Sequence, residues 1–155
     1  ILLEAIFVLE TMGGEKLQAD RFLPPTPIRI VVDHTGNEQT EVYPVEILDQ
    51  RVIQAPMDDL LDNEVVIETV VHNMISAAKE LAERRAASHI MQGLRKMRQT
   101  LGHEIDRLKS LQAQNQHIRP AEIQLAETTQ NRLSDLMQDA GIRLDALQLI
   151  WKGNR

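Results

Sequence analysis

The stretch ISAAKELAERRAASHIMQGLRKMRQTLGHEIDRLKSL, residues 75–111, holds no proline and no asparagine, and its apolar residues recur at steps of three and four. Ile67, Val71, Met74, Ala78 and Leu81 form one series; Ile90, Leu94, Met97, Leu101, Ile105, Leu108 and Leu111 form a second. Each is the pattern of a helix that buries one face. The two series are out of phase and meet through the small residues Ala82, Ala86 and Ala87. A continuous helix whose buried face rotates is expected, rather than a break near Ser88-His89. Gly93 alone costs such a helix only about 1 kcal/mol.

Downstream, NQHIRPAEI (residues 115–123) reads as a junction between two helices. Asn115 closes the first, Pro120 takes a first helical position, and Glu122 suits the positive end of the next helix dipole. That next helix carries Ile123, Ala126, Leu133, Met137 and Ala140 on one face, with Gly141 expected as its C-cap. A helix over residues 58–113 would run about 80 Å, the one after Pro120 only about 30 Å. The shorter helix therefore covers the second half of the longer one, and the first half must pack on something else.

That something is a sheet. Residues 1–11, ILLEAIFVLET, are dense in large and β-branched apolar residues. Helical spacing of Leu2, Ile6 and Leu9 competes, but the shortness of the run and the Met12-Gly13-Gly14 breaker favour a strand covered on both faces. Such a strand looks like an interior element of something longer. It is expected to pair with the second or last strand, and an exposed apolar face or self-association is expected where neighbours are missing. After a stiff connector, RFLPPTP, in which Phe22 and Leu23 anchor to the core, IRIVVD (28–33) gives a second strand ending in a Thr35-Gly36-Asn37 turn. EVYPVEIL (41–48) is expected to return as a third strand, with Pro44 marking an edge or bulge. IRLDALQLIW (142–151) is expected to be a fourth, returning strand. The predicted fold is α+β: a small, mostly antiparallel sheet of about four strands with a helical hairpin. It is read as one domain, with strands and loops over 1–57, the hairpin over 58–140 and the last strand over 142–152.

Composition narrows the function. Of 155 residues, 43% are hydrophobic and 26% charged, as in ordinary globular proteins, and only 3% are aromatic. The formal net charge of −6 argues against a stand-alone nucleic-acid module. With no cysteine, disulfides and thiolate metal sites are excluded, which suits a reducing compartment such as a cytoplasm. Glu4 interrupts the apolar opening and no basic region precedes it, so it is not a signal peptide. No run of about 18 apolar residues occurs, so no membrane-spanning helix is expected.

The motifs that carry chemistry elsewhere are incomplete here. HEIDR, His103–Arg107, has the glutamate of a zinc-protease helix, but Arg107 stands where the second histidine would, and Glu104 with Arg107 reads as a solvated helix pair. His34, His72, His89 and His117 are scattered and read as surface residues. Asp58, Asp59 and Asp62 fit a first helical turn better than a cation site. MGGEK, residues 12–16, lacks the flanks of a nucleotide-binding turn and reads as a flexible connector. The one local charge excess is Arg84, Arg85, Arg95, Lys96 and Arg98, a possible contact for phosphates or an acidic protein surface. Its bland alternative is a set of long stems covering the helix, neutralised by Glu80, Glu83 and more distant carboxylates. No catalytic, cofactor or metal residue is assigned.

LLEAIFVLE, RFLPPTPIRI, NQHIRPAEI and AGIRLDALQLI, in that order, resemble the C-terminal end of the bacterial RapA family of RNA polymerase-associated proteins. The resemblance is weakest between about residues 38 and 100, and its motifs are packing and turn signatures. It implies a large, switch-type, nucleic-acid-dependent ATPase that binds core RNA polymerase and uses ATP and Mg²⁺ to help recycle stalled polymerase. The family's phosphate loop and acidic Mg²⁺ box have no counterpart here, so no functional residue carries over. The expectation is a non-catalytic, cytoplasmic docking or scaffolding domain whose partners are the ATPase core of the same chain and RNA polymerase. The alternative is a nucleic-acid contact through the Arg84–Arg98 run.

Overall fold

The computed structural model describes residues 1–13, 17–53, 56, 63–64, 66–115 and 117–151. Among them are three strands, β1 (Leu2–Glu10), β2 (Thr26–Asp33) and β3 (Gly141–Ile150), and three α-helices, α1 (Val45–Arg51), α2 (His72–Gln114) and α3 (Pro120–Gln138). The class is the expected α+β, with three antiparallel strands rather than four. Their order is β2-β1-β3, so the opening strand is central and pairs with both candidates named for it. The chain divides into two compact units. One comprises Ile1–Val8, Pro27–Arg85 and Ile142–Arg155; the other comprises Leu9–Thr26 and Ala86–Gly141.

In the first unit the sheet is built on alternation. Leu3, Ala5 and Phe7 of β1 and Ile28, Ile30 and Val32 of β2 are all buried, two residues apart along each strand and hence on one face. Val71, just before α2, and Met74, Ala78 and Ala82 within it form a buried series. Its small members let the helix lie close. Two contacts seat it: Arg85 Nη1 donates to the Arg29 carbonyl of β2 at 2.9 Å, and Gly36 lies against Ala77. At the other face Leu2, Val31 and Leu48 form a smaller cluster with Tyr43, Val52 and Ile150.

The expected third strand is corrected. Pro44 is the N-cap of α1, and Val45–Arg51 is helical. In place of a strand, the segment after the turn makes one isolated antiparallel bridge to β2, Val32 to Glu38. Beyond it, the Thr40 hydroxyl accepts from Val31 N–H at 3.0 Å, and Gln39 N–H donates to the Val31 carbonyl at 2.7 Å. The Thr40 hydroxyl thus takes the Val31 N–H that the Gln39 carbonyl would accept in a continuing ladder, and pairing stops there. Pro44 then starts a helix, which it does at no cost because first-turn donors have no helical acceptor.

The turn between them is held by Asp33. Its carboxylate accepts from the Thr35 and Asn37 backbone N–H groups, the Thr35 hydroxyl and the Gln39 amide. Burial by itself raises this carboxyl, but the hydrogen bonds outweigh it and bring it from 3.8 down to about 2. The folded value is depressed, so the stabilisation is complete above the unfolded value of 3.8 and is lost as pH falls through about 2. The side chain is partly exposed, so solvent screening leaves about 1 kcal/mol. In urea unfolding between pH 5 and 2, Asp33→Asn is expected to lose stability less steeply than the parent chain; equal slopes would remove Asp33 from the acid response.

In the second unit the expected continuity of α2 through Ser88-His89 is observed. Its 43 residues make it about 65 Å long. A π-helical segment, Val66–Val71, leads into it, and the expected start near Asp58 lies outside the described residues. α3 begins at Pro120 as expected and runs antiparallel to α2. Gly93 faces Met137, Arg98 Nη2 donates to the Ser134 hydroxyl at 3.3 Å, and Lys109 Nζ meets Glu127 at 2.7 Å. One number falls as the other rises. Leu94, Met97 and Ile105 are buried on α2, and Ile123, Leu133 and Met137 on α3. The connector's Phe22 and Leu23 are buried, as expected. Gly141 is not the C-cap: Asp139 takes that place, and Gly141 opens β3.

Candidate functional site

The basic run does not act as one stripe. Arg85 continues the buried 71-74-78-82 series and turns inward, bonded to the Arg29 carbonyl and paired with Glu38. Arg29 in turn donates to Glu4 Oε1 at 2.5 Å and to the Tyr43 carbonyl at 2.7 Å. Arg85 is thus structural, and its place in the apolar series is the sequence signal that marks it. Arg84 is exposed on the same unit.

In the other unit Arg95, Lys96 and Arg98 are exposed around buried Gly93, Leu94 and Met97. At 3.6 residues per turn, Lys96 and Arg98 stand roughly 160° apart about the helix axis and flank the buried face from opposite sides. Arg98 leans on α3 through Ser134. Arg84, Arg95 and Lys96 have no acidic partner among the described residues.

A groove of about 300 Å³ lies between the helices of the hairpin. Leu101, Ile105 and Leu108 of α2 and Leu125, Ala126 and Thr129 of α3 line it, with Glu104 and Glu122 in its walls. Neither carboxylate has a cationic partner among the described residues: Arg107 does not pair with Glu104. Lys109 instead reaches Glu127, which holds its ammonium above the ordinary value through hydrogen bonding and charge. Leu125 is 68% exposed. Sequence reading passed over it because it falls outside the 123-126-133-137 series. The arrangement can accept an apolar side chain with a cation beside it.

His34, His72, His89, His103 and His117 are all exposed. Among the described residues no three histidine or carboxylate side chains gather as a metal site. Asp58, Asp59 and Asp62, and most of MGGEK, lie outside the described residues. No described helix is long and apolar enough to cross a membrane.

RNA polymerase-associated protein RapA of Haemophilus influenzae (strain PittEE) is 33% identical over 152 residues, which is 97% of this chain and 16% of that protein. The proteins of the same name from Erwinia tasmaniensis and Vibrio cholerae are 34% and 32% identical over the same shares. The chain therefore spans about a sixth of the length of the curated relatives it matches. Residues 1–152 match the family described as RNA polymerase recycling family C-terminal, and the chain belongs to that family.

Proposed function

We propose that this chain is a non-catalytic docking element of a cytoplasmic, ATP-dependent factor that recycles RNA polymerase. The relatives' name and the family description supply the partner class, and the groove between α2 and α3 supplies the surface. ATP and Mg²⁺ chemistry belongs, in this reading, to the larger parent protein. The groove carries the reading because it exposes Leu125 beside half-buried Leu101 and Leu108, on a hairpin whose Leu94, Met97, Ile105, Ile123, Leu133 and Met137 are buried. An exposed, rimmed apolar surface on a packed scaffold is a contact surface. Co-migration of the chain with core RNA polymerase tests it. Leu125→Asp, at an exposed position, is expected to weaken co-migration about tenfold with little change in helicity. Unchanged co-migration would take the groove out of the interface.

A second reading rests on Arg84, Arg95 and Lys96, which no acidic side chain neutralises among the described residues. It predicts duplex or single-stranded nucleic-acid binding that falls steeply between about 50 and 200 mM salt. Binding should disappear when Arg84, Arg95, Lys96 and Arg98 are replaced by alanine. Polymerase docking through the groove would be nearly salt-insensitive and would survive that change.

A further inference from the structure

The two edges of the sheet are treated differently. Along β2 the groups that point outward belong to residues 29, 31 and 33. Arg85 bonds the Arg29 carbonyl, Thr40 and Gln39 bond the N–H and carbonyl of Val31, and the Asn37 carbonyl accepts from Asp33 N–H at 3.0 Å. This edge is closed by side chains and a loop, so no further strand fits there. Along β3, among the described residues, no loop or side chain bonds the backbone of residues 144–150.

Of the devices that keep edges apart, β3 carries only two charges of opposite sign, Arg143 and Asp145. Its ten residues, GIRLDALQLI, contain no proline and no lysine, and none has a left-handed backbone. Residues 143–148 are exposed in an unbroken run, so neither face of that segment is covered. Leu144 and Leu147 each keep 43% of their surface in water. A long, exposed, leucine-bearing edge is a template for another strand.

We propose that β3 pairs with β3 of a second copy of this chain, joining two three-stranded sheets into one of six strands about a two-fold axis. The charges choose the occupant and the register. In a two-fold antiparallel pair some residue sits opposite its own copy. With Arg143 or Asp145 on the axis, like charges meet. With Leu144 on the axis, Arg143 of each copy lies opposite Asp145 of the other, Ile142 opposite Ala146, and residues 141–147 overlap. Arg143 and Asp145 already bond along the strand at 2.9 Å, so the two copies close a ring of four alternating charges on one face.

Sedimentation equilibrium of the 155-residue chain tests this. The weight-average mass is expected to double as concentration rises. Arg143→Asp and Asp145→Arg each place like charges opposite one another and should each need at least about ten times the concentration to associate. Mixed in equal amounts, the two variants present opposite signs at every charged position and should recover the parent's dimer. A parent chain that stays monomeric overturns the proposal and leaves the β3 edge to a strand from another segment or protein. Variants that associate like the parent, or a mixture that fails to, overturn the register. The proposal is independent of polymerase docking: Leu125→Asp should leave the dimer intact, whatever it does to co-migration.

Discussion

Gly93→Ala is expected to destabilise the chain by about 2 kcal/mol, lowering the melting temperature by about 6 °C, although alanine is the better helix former by about 1 kcal/mol. The reason is the floor beneath it. A Cβ at Gly93 would stand 2.8 Å from the Phe22 carbonyl oxygen and 3.0 Å from Met137 Cε. The methionine methyl can swing aside; the carbonyl belongs to a backbone anchored by buried Phe22 and Leu23 and cannot. Forcing a methyl into such a contact costs about 1–3 kcal/mol in repacking, and the clash with fixed backbone puts this site at the upper end before the propensity gain is subtracted. Gly93→Val, larger and β-branched, should cost about 4 kcal/mol. Gly102 on the same helix is the control. Its nearest neighbour would be Gln130 Nε2 at 4.0 Å, so Gly102→Ala should raise stability by about 0.5–1 kcal/mol. Thermal unfolding of both variants decides the matter. Equal signs at the two glycines would mean that the connector yields at Phe22.

This contrast shows where sequence reading reaches its limit. The period of the apolar residues marked both helices, the absence of proline and asparagine marked continuity past Ser88-His89, and the unequal helix lengths marked the antiparallel hairpin after Pro120, because helices announce themselves locally. That Gly93 is required while Gly102 is not depends on a carbonyl some seventy positions earlier in the chain, which no local pattern carries. The lost third strand has the same origin. Glu41–Leu48 has strand-like residues, but the Thr40 hydroxyl takes the Val31 N–H that a ladder would need, and Pro44 fits a helix start as readily as an edge. The placement of Gly141 at a strand start, rather than at a helix end, follows from Asp139 closing α3 first. The groove was illegible for a different reason: Leu101, Ile105 and Leu108 read as buried stripe, while Leu125, which leaves the groove open, lies off the α3 stripe that periodicity detects.

The basic run is where a misread residue would matter most in practice. Arg85→Ala is expected to cost about 2 kcal/mol, whereas Arg84→Ala beside it should stay within about 0.5 kcal/mol. Arg85 gives one guanidinium N–H to a part-buried strand carbonyl and another to Glu38. The ion pair is about a third exposed, with relative side-chain areas of 40% and 34%, and contributes under about 1 kcal/mol. The larger share comes from the Arg29 carbonyl, since a charged donor to an edge acceptor contributes about 1.5 kcal/mol or more and its removal strands that oxygen beneath the helix. Arg85→Lys keeps the charge but cannot reach both acceptors with one planar fork, so it should recover only about half of the loss. Chemical denaturation of the three variants separates these terms. Replacing all five cations at once would therefore weaken the sheet edge together with any nucleic-acid contact, and lost binding would be uninterpretable. Leaving Arg85 in place removes that ambiguity: a four-residue variant that keeps its stability but no longer binds identifies a true contact surface, and an Arg85→Ala variant as stable as the parent would return this residue to the exposed run.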